Sequence, residues 1–304
     1  MNILILSAGG PTAHGVIKSL RDINFDGKIV SVDSNPLSAG LYLSDSYHIV
    51  PKAFDDGYIE ELYKIVKEEN IDLILPTSSN DIITISKNEH LFDCKLFMSD
   101  YEAIDICSNK LKFYEKCKDK FPLPKTSMNY NNIDFPIFAK PKEHSAGSRG
   151  ISLCESIDNI NCLNQNKFKY IYQEYLPGME YTIDVLCDMD SNPLVAVPRE
   201  RLQTKAGISS KGRIVKNDFI EKSCFDICKF LNLKGPICLQ MKEDANGKPK
   251  FVEINPRLGG SSYFATLAGV NFIEIILDLI KGKKPIINEP KQVTILRYYN
   301  EVVI

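Results

Sequence analysis

Apolar and polar positions alternate in a regular way along the first hundred residues, where short apolar runs are separated by amphipathic stretches. The runs and stretches are Ile3 to Leu6, Val16 to Leu20, Lys28 to Val32, Ile59 to Glu68 and Leu73 to Leu75. This alternation is the pattern of βαβ units on a parallel sheet. It predicts a Rossmann-like first domain.

Further along, a helical pattern runs from Lys110 to Lys120 and ends at Phe121-Pro122-Leu123-Pro124, because two prolines forbid its continuation and favour extended backbone. A second domain is expected to begin there. Strand patterns follow at Ile137 to Lys140, Ile171 to Glu174, Tyr181 to Cys187, Leu194 to Pro198, Ile237 to Lys242 and Lys250 to Ile254. Helical patterns occupy Asp218 to Leu231 and Asn271 to Ile280. No internal repeat interrupts this order.

Composition narrows the function classes. The 304 residues are 44% apolar and 25% charged, ordinary values for a soluble protein of two domains. Lys plus Arg number 37 against 39 Asp plus Glu, a net charge of -2 that offers no field for a polyanion, so nucleic acid is not expected as a partner. The apolar opening stops at Ser7-Ala8-Gly9-Gly10 without the basic lead and longer run of a secretory signal. Glu274 and Asp278 break the most apolar later segment, so no membrane span is expected and a cytoplasmic location is. The nine cysteines are scattered through apolar runs, which suits reduced core thiols. Cys224 and Cys228 lack the second pair that a zinc site needs.

Ile237 to Asn255 is the most informative stretch. Asn246-Gly247 is a hairpin signal between two apolar strands. A two-residue turn there places Gln240 opposite Glu253, and side-chain alternation brings Asn255 to the same face. Leu239, Met241, Val252 and Ile254 then point the other way and bury. Two amide oxygens and a carboxylate on one face suit Mg²⁺ shared with nucleotide phosphates. The same arrangement also describes a solvated polar face on an edge hairpin.

Glu253-Ile254-Asn255-Pro256-Arg257, followed by Leu258-Gly259-Gly260-Ser261, closely resembles the E-x-N-P-R metal motif of ATP-grasp enzymes, in particular the carbamoyl-phosphate synthetase large-chain and biotin carboxylase branch. The resemblance covers nearly the whole chain. It implies an α/β and α+β fold: a Rossmann-like N-terminal, pre-ATP-grasp domain over residues 1–108, a small lid subdomain over 109–175, and a large subdomain carrying the metal site over 176–304. It further implies that Gln240, Glu253 and Asn255 bind Mg²⁺ or Mn²⁺, and that Arg257 contacts phosphate or the reacting carboxylate. Many members carry a carboxylate where Gln240 stands, which leaves less charge here for a second ion.

Other matches to the family fall in the expected order. Lys110 resembles the first nucleotide-contacting lysine, although Asn109 replaces the more usual aspartate before it. Lys140, closing Phe138-Ala139-Lys140-Pro141, resembles the lysine that reaches the nucleotide phosphates, and a lysine ending an apolar strand must direct its charge somewhere specific. In the loop Ser145-Ala146-Gly147-Ser148-Arg149-Gly150, small residues let backbone N–H groups approach phosphate oxygens. The family closes its matching loop over ATP, which makes Ser145, Gly147, Ser148 and Gly150 candidate ATP contacts. Gln173-Glu174-Tyr175-Leu176 resembles the hinge bordering adenine, and Glu180 the acidic residue on the ribose hydroxyls. Of Arg199 and Arg201, the resemblance favours Arg201 beside a developing acyl phosphate, where a guanidinium binds oxyanions in bidentate fashion.

The first domain also invites a dinucleotide reading, since Gly9, Gly10 and Gly15 follow the first strand and Asp33 the second. Gly9-Gly10-Pro11-Thr12-Ala13-His14-Gly15 lacks the G-x-G-x-x-G spacing, however, and nothing downstream suggests hydride transfer. In the resembled family these loops border the acceptor substrate instead, and Pro76 to Asp81 occupies such a strand end. His14 and His144 are loop residues that could deprotonate an amine, although the family requires no histidine.

The implied function is an ATP-dependent carboxylate-amine or ammonia ligase. It would form a C–N bond through an acyl phosphate, with Lys140, Arg201 and Arg257 catalytic, and would act on small molecules as a compact enzyme, here expected as a homodimer. A carbamoyl-phosphate-type kinase acting on bicarbonate or carbamate is the alternative within the family. A non-catalytic ATP-binding regulatory protein is the alternative from another class.

Overall fold

Each of the apolar runs in the first hundred residues becomes buried, and together they build a sheet covered on both faces. The computed structural model describes residues 1–142, 150–163 and 168–304. In the N-terminal part, β1 (Asn2–Ile5), β2 (Lys28–Asp33), β3 (Ser46–Ile49), β4 (Leu73–Leu75) and β5 (Lys95–Leu96) pair in the order β3-β2-β1-β4-β5, all parallel. The crossovers are α1 (Pro11–Asp22), α2 (Ala39–Tyr42), α3 (Tyr58–Glu68) and α4 (Ser79–Lys87), and α5 (Tyr101–Ser108) follows.

Strand order reverses between β1 and β4. The crevice outside their carboxyl ends, where ligands collect in open α/β sheets, is formed by Ser7 to Gly10 and Thr77 to Ser79. Its walls are tied together. Thr77 Oγ1 donates to the Leu6 carbonyl at 2.6 Å. Ser78 and Asp81 form a reciprocal capping box at the start of α4. Tyr58 donates to the buried Asp81 carboxylate at 2.8 Å.

A linking helix, α6 (Lys110–Cys117), leads to a small sheet of β6 (Thr126–Ser127), β7 (Ile137–Pro141), β8 (Ser152–Cys154) and β9 (Tyr170–Glu174), ordered β6-β9-β7-β8, with α7 (Ile157–Leu163) against it. A large antiparallel sheet then runs β14-β13-β10-β11-β12-β15. Its strands are β10 (Glu180–Cys187), β11 (Pro193–Lys205), β12 (Ile208–Ile214), β13 (Gly235–Glu243), β14 (Pro249–Asn255) and β15 (Thr294–Leu296). One face is covered by α8 (Asp218–Phe230), whose buried Ile220, Cys224, Ile227 and Cys228 meet Ile183, Val185 and Leu239. All nine cysteines are unbridged, and most are buried, as expected of core thiols.

The two halves share a core. Ile3, Ile5, Ile29, Leu73 and Leu75 occupy one face of the parallel sheet, and they pack in one apolar cluster with Phe264 of α9 (Tyr263–Leu267) and Phe272, Ile273 and Ile276 of α10 (Phe272–Ile280). Period-2 alternation sends Leu4, Leu6, Val30, Val32 and Ile74 to the opposite face, against Leu62, Ile65 and Ile85. Among the described residues, no helix is long and apolar enough to cross a membrane.

Three expectations need correction. The strand expected over Leu194 to Pro198 runs on through both arginines to Lys205 and pairs with β12. The β13–β14 turn is not two residues long. Asp244 N–H bonds to the Lys248 carbonyl, and Gly247, at φ 74°, donates to the Asp244 carbonyl, giving a three-residue loop. A bulge in β14 restores the register: Met241 faces Phe251, yet Gln240 faces Glu253, so Val252 is the extra residue. Phe251 therefore takes the core position expected for Val252, which is only half-buried.

Gly235 starts β13 at φ 71°, where an added Cβ would sit 2.6 Å from the Phe97 carbonyl oxygen. Left-handed backbone and a backbone collision combine there, so Gly235→Ala is expected to cost roughly 2–4 kcal/mol in urea unfolding. Gly247→Ala meets nothing within 4 Å and should cost about 1–2 kcal/mol, the backbone penalty alone.

Candidate functional site

The site forms where the small sheet, the large sheet and the crevice of the parallel sheet meet. β13 and β14 bring Gln240 directly opposite Glu253, and Asn255 lies opposite Cys238, one residue pair beyond Leu239 and Ile254. All three side chains are half-buried, while Leu239 and Ile254 fill the core behind them. Gln240 and Asn255 supply amide oxygens and Glu253 a carboxylate. Mg²⁺ usually takes one or two protein carboxylates plus phosphate oxygens and water, so this donor set fits a cation shared with a polyphosphate. Among the described residues, no three His, Cys, Asp or Glu side chains gather into an all-protein metal cage.

Lys140 reaches the same place from the end of β7. It is 7% exposed, and its ammonium lies 5.2 Å from the centre of the Phe138 ring. Burial lowers its pKa to about 8. Glu253 and Glu180 act against that fall, and Lys110 and Lys242 add to it. Lys110, Glu180 and Glu253, expected at the site from separate stretches of sequence, thus share one electrostatic environment with Lys140, as does Lys242, which was not expected there. Lys242 also caps the Tyr175 ring at 5.4 Å.

The 173–176 segment passes along this site. Gln173 is buried and donates to Thr126 Oγ1 at 2.9 Å, and Glu174 pairs with Lys250. The Glu174 N–H goes to the Lys125 carbonyl. These side chains brace the segment, leaving Tyr175 and the buried Leu176 as its apolar wall. Gly150 sits at φ 73° with an added Cβ 2.9 Å from Pro141 Cγ, so this end of the glycine-rich loop is held close to the Lys140 strand. Ser145, Gly147 and Ser148, together with His144, lie outside the described residues.

Arg257 spans the two halves of the molecule. Its Nε donates to Ser79 Oγ at 3.1 Å in the crevice, one terminal nitrogen donates to the Leu258 carbonyl at 2.8 Å, and the other approaches Asn255 Oδ1 at 3.4 Å. Arg201 is largely buried and pairs with Glu180 at 2.5 Å while donating to the Gly207 carbonyl at 2.7 Å. The residues expected at ribose and at the acyl phosphate are therefore joined.

Known proteins match this arrangement in two segments. Residues 167–302 match the family described as ATP-grasp in the biosynthetic pathway with Ter operon, and residues 3–97 match the PylC-like N-terminal domain. Residues 167–302 thus carry an ATP-grasp match and residues 3–97 a PylC-like one. It is 24% identical to the carbamoyl phosphate synthase large chain of Campylobacter jejuni over 290 residues, covering 83% of this chain and 26% of that one. It is 26% identical to the D-aspartate ligase of Enterococcus faecium over 283 residues, covering 77% of this chain and 65% of that one. The chain thus spans about a quarter of the first relative and under two thirds of the second. In fold it is similar to the carboxyaminoimidazole ribonucleotide synthase of Aspergillus clavatus solved with ATP. The TM-score is 0.76 at 14% identity, covering 97% of this chain and 81% of that one.

Within the large sheet the two arginines of β11 divide their work. Arg199 is fully buried. It bonds Asp184 at 2.6 Å and Ser261 Oγ at 3.0 Å, and lies 5.4 Å from the Phe264 ring centre. The pair fastens β10 and β11 to the turn that follows Arg257. Gly212 makes room for it, since a Cβ there would come 2.8 Å from Arg199 Cδ. Asp184 was missed in the sequence, although a carboxylate inside the apolar run Tyr181 to Cys187 is a signal that it has a buried partner. Arg297 was also missed. It donates to the Gly260 carbonyl at 2.8 Å, and no local motif marks it.

Arg199→Ala would leave Asp184 charged and buried. It is expected to destabilise the protein by about 3–5 kcal/mol in urea unfolding, whereas a simultaneous Asp184→Asn change should recover part of that loss.

Proposed function

We propose that the chain is a ligase that uses ATP to join a carboxylate to an amine or to ammonia through an acyl phosphate. The observation that carries this reading is the convergence of Lys140, Glu253 and Glu180 beside Arg257, whose guanidinium reaches Ser79 at the mouth of the switch-point crevice. Phosphate-binding chemistry and a small-molecule crevice then share one boundary.

In this reading Lys110 and Lys140 hold nucleotide phosphates. Tyr175 and Leu176 enclose adenine, with the backbone around Gln173 and Glu174 supplying polar contacts. Glu180 takes the ribose hydroxyls, and Ser145, Gly147, Ser148 and Gly150 close over the phosphates. Gln240, Glu253 and Asn255 would hold Mg²⁺, which neutralises phosphate charge when bound. The substrate carboxylate attacks the γ-phosphorus, the bond to the bridging oxygen breaks and ADP leaves. The amine then attacks the carbonyl carbon of the acyl phosphate, forming C–N and releasing phosphate. Arg257 steadies the transferring group. Arg201 would serve the acyl phosphate once nucleotide binding draws Glu180 from it. A homodimer belongs to the same reading, with exposed Leu296 at the end of the edge strand β15 and exposed Tyr298 two residues on as part of its surface.

Glu253→Gln is expected to abolish amine-dependent ADP release without moving the unfolding midpoint. Undiminished turnover would remove the assignment. Bicarbonate-stimulated ATP hydrolysis with no amine requirement would identify a carbamoyl-phosphate-type kinase instead.

Lys140 is cationic below about 8 and loses its charge as pH rises through that value. Metal-free ADP affinity, followed by calorimetry, should weaken above pH 8 by up to about tenfold per unit. Lys140→Met should bind weakly throughout and flatten this dependence.

A further inference from the structure

The turn that follows Arg257 contains two adjacent glycines, Gly259 and Gly260, which give the core no side chain to hold. The first marks a close approach, since a Cβ on Gly259 would come 2.7 Å from Cys238 Sγ. The position of this turn matters beyond the turn itself, because one terminal nitrogen of Arg257 donates to the Leu258 carbonyl at 2.8 Å. A shift over residues 258–260 therefore swings the guanidinium whose Nε meets Ser79 across the crevice.

Two arginines from the large sheet and its last segment hold this turn, and both lie over the Phe264 ring. Arg199 is 5.4 Å from the ring centre and donates to Ser261 Oγ at 3.0 Å. Arg297 is 5.6 Å from the same centre and donates to the Gly260 carbonyl at 2.8 Å. Among the described residues no other donor serves that carbonyl. Arg297 is itself anchored at its backbone: its N–H donates to the Ser210 carbonyl at 2.8 Å, and Leu296 before it pairs with Lys211 of β12. The turn is thus fastened by one guanidinium sealed in the core and by one that is exposed. The sealed one is shared with Asp184. The exposed one is directed at the turn.

We propose that Arg297 is a positioning residue for phosphoryl transfer: by holding the Gly260 carbonyl it fixes the turn from which Arg257 is aimed at the transferring group. The inference rests on the ligase reading, in which Arg257 steadies that group, and adds a residue that touches neither nucleotide nor substrate. Loss of Arg297 frees the two glycines and, with them, the Leu258 carbonyl. Arg257 then keeps Ser79 and Asn255 but loses its shortest bond. Lys140 and Tyr175, assigned to the phosphates and the base, lie outside this turn. The exposed Arg297 side chain leaves no core cavity when it is shortened.

The test is calorimetry of MgADP binding to the full chain with and without aluminium fluoride, a mimic of the transferring phosphoryl group, together with urea unfolding. Aluminium fluoride should tighten MgADP binding to the wild type. Arg297→Gln should remove about 10–100-fold of that tightening, while MgADP alone binds as before and the unfolding midpoint holds. Arg297→Lys should recover part of it, since an ammonium can still donate to the Gly260 carbonyl. A double-mutant cycle then separates positioning from general loosening: Arg257→Gln combined with Arg297→Gln should be no weaker than Arg257→Gln alone. Losses that simply add, an Arg297→Gln variant that tightens like wild type, or one that weakens MgADP alone to the same extent overturn the inference and leave the ligase reading standing. Wild-type protein that binds MgADP but gains nothing from aluminium fluoride overturns both.

Discussion

The arrangement depends on one shared apolar core. The parallel sheet exposes Ile3, Ile5, Leu73 and Leu75 on a face that its own crossover helices only partly cover, and α9 and α10, from the far end of the chain, complete that cover. Burying this face fixes the N-terminal crevice against the turn after Arg257. Directed bonds then refine the fit: Ser19 to Thr266 at 2.8 Å, Asn271 to the Ser19 carbonyl at 2.9 Å, and Arg257 to Ser79. Apolar burial sets the distance between the two halves, and the polar contacts set the register.

Charge is distributed in two depths around the site. Arg199 and Asp184 are fully withdrawn from water and pair directly at 2.6 Å, so they act as a fastening beneath the turn that carries Arg257. Lys140 is nearly as buried and is answered less completely, by the more distant Glu253 and Glu180. A buried cation without a close counter-ion is costly in the free protein and is relieved by an arriving anion. That difference separates a pair that holds the fold from a cation that, in the proposed reading, awaits the nucleotide phosphates.

The β13–β14 hairpin shows how a site register can be correct for an incomplete reason. The turn takes one more residue than the Asn-Gly signal suggests, and the bulge at Val252 absorbs the offset before Glu253 is reached. Phe251 fills the core beside Met241, and that packing decides where the bulge falls. Turn chemistry is local and visible in sequence; bulge position depends on which side chain the core accepts.

Period-2 and helical alternation, the paired prolines near residue 122 and the Glu253 to Arg257 run made the sheet classes, the passage from the parallel sheet to the antiparallel ones and the ATP-grasp resemblance legible from residues alone, because each reports a local burial pattern or a short fixed motif. The fates of Arg199 and Arg201 were not legible. The two share one strand and one face by alternation, and only Asp184, Ser261, Glu180 and Gly207, brought from other strands and turns, determine that one is sealed and the other paired at the site. Arg297 reaches the Gly260 carbonyl for the same reason, since nothing in its local sequence records the fold that brings the segment after β15 to the turn beyond Arg257. The sequence by itself determined the elements and the kind of chemistry. Which distant charges face one another was decided by tertiary burial, because electrostatic partnership depends on through-space distance and on the exclusion of water.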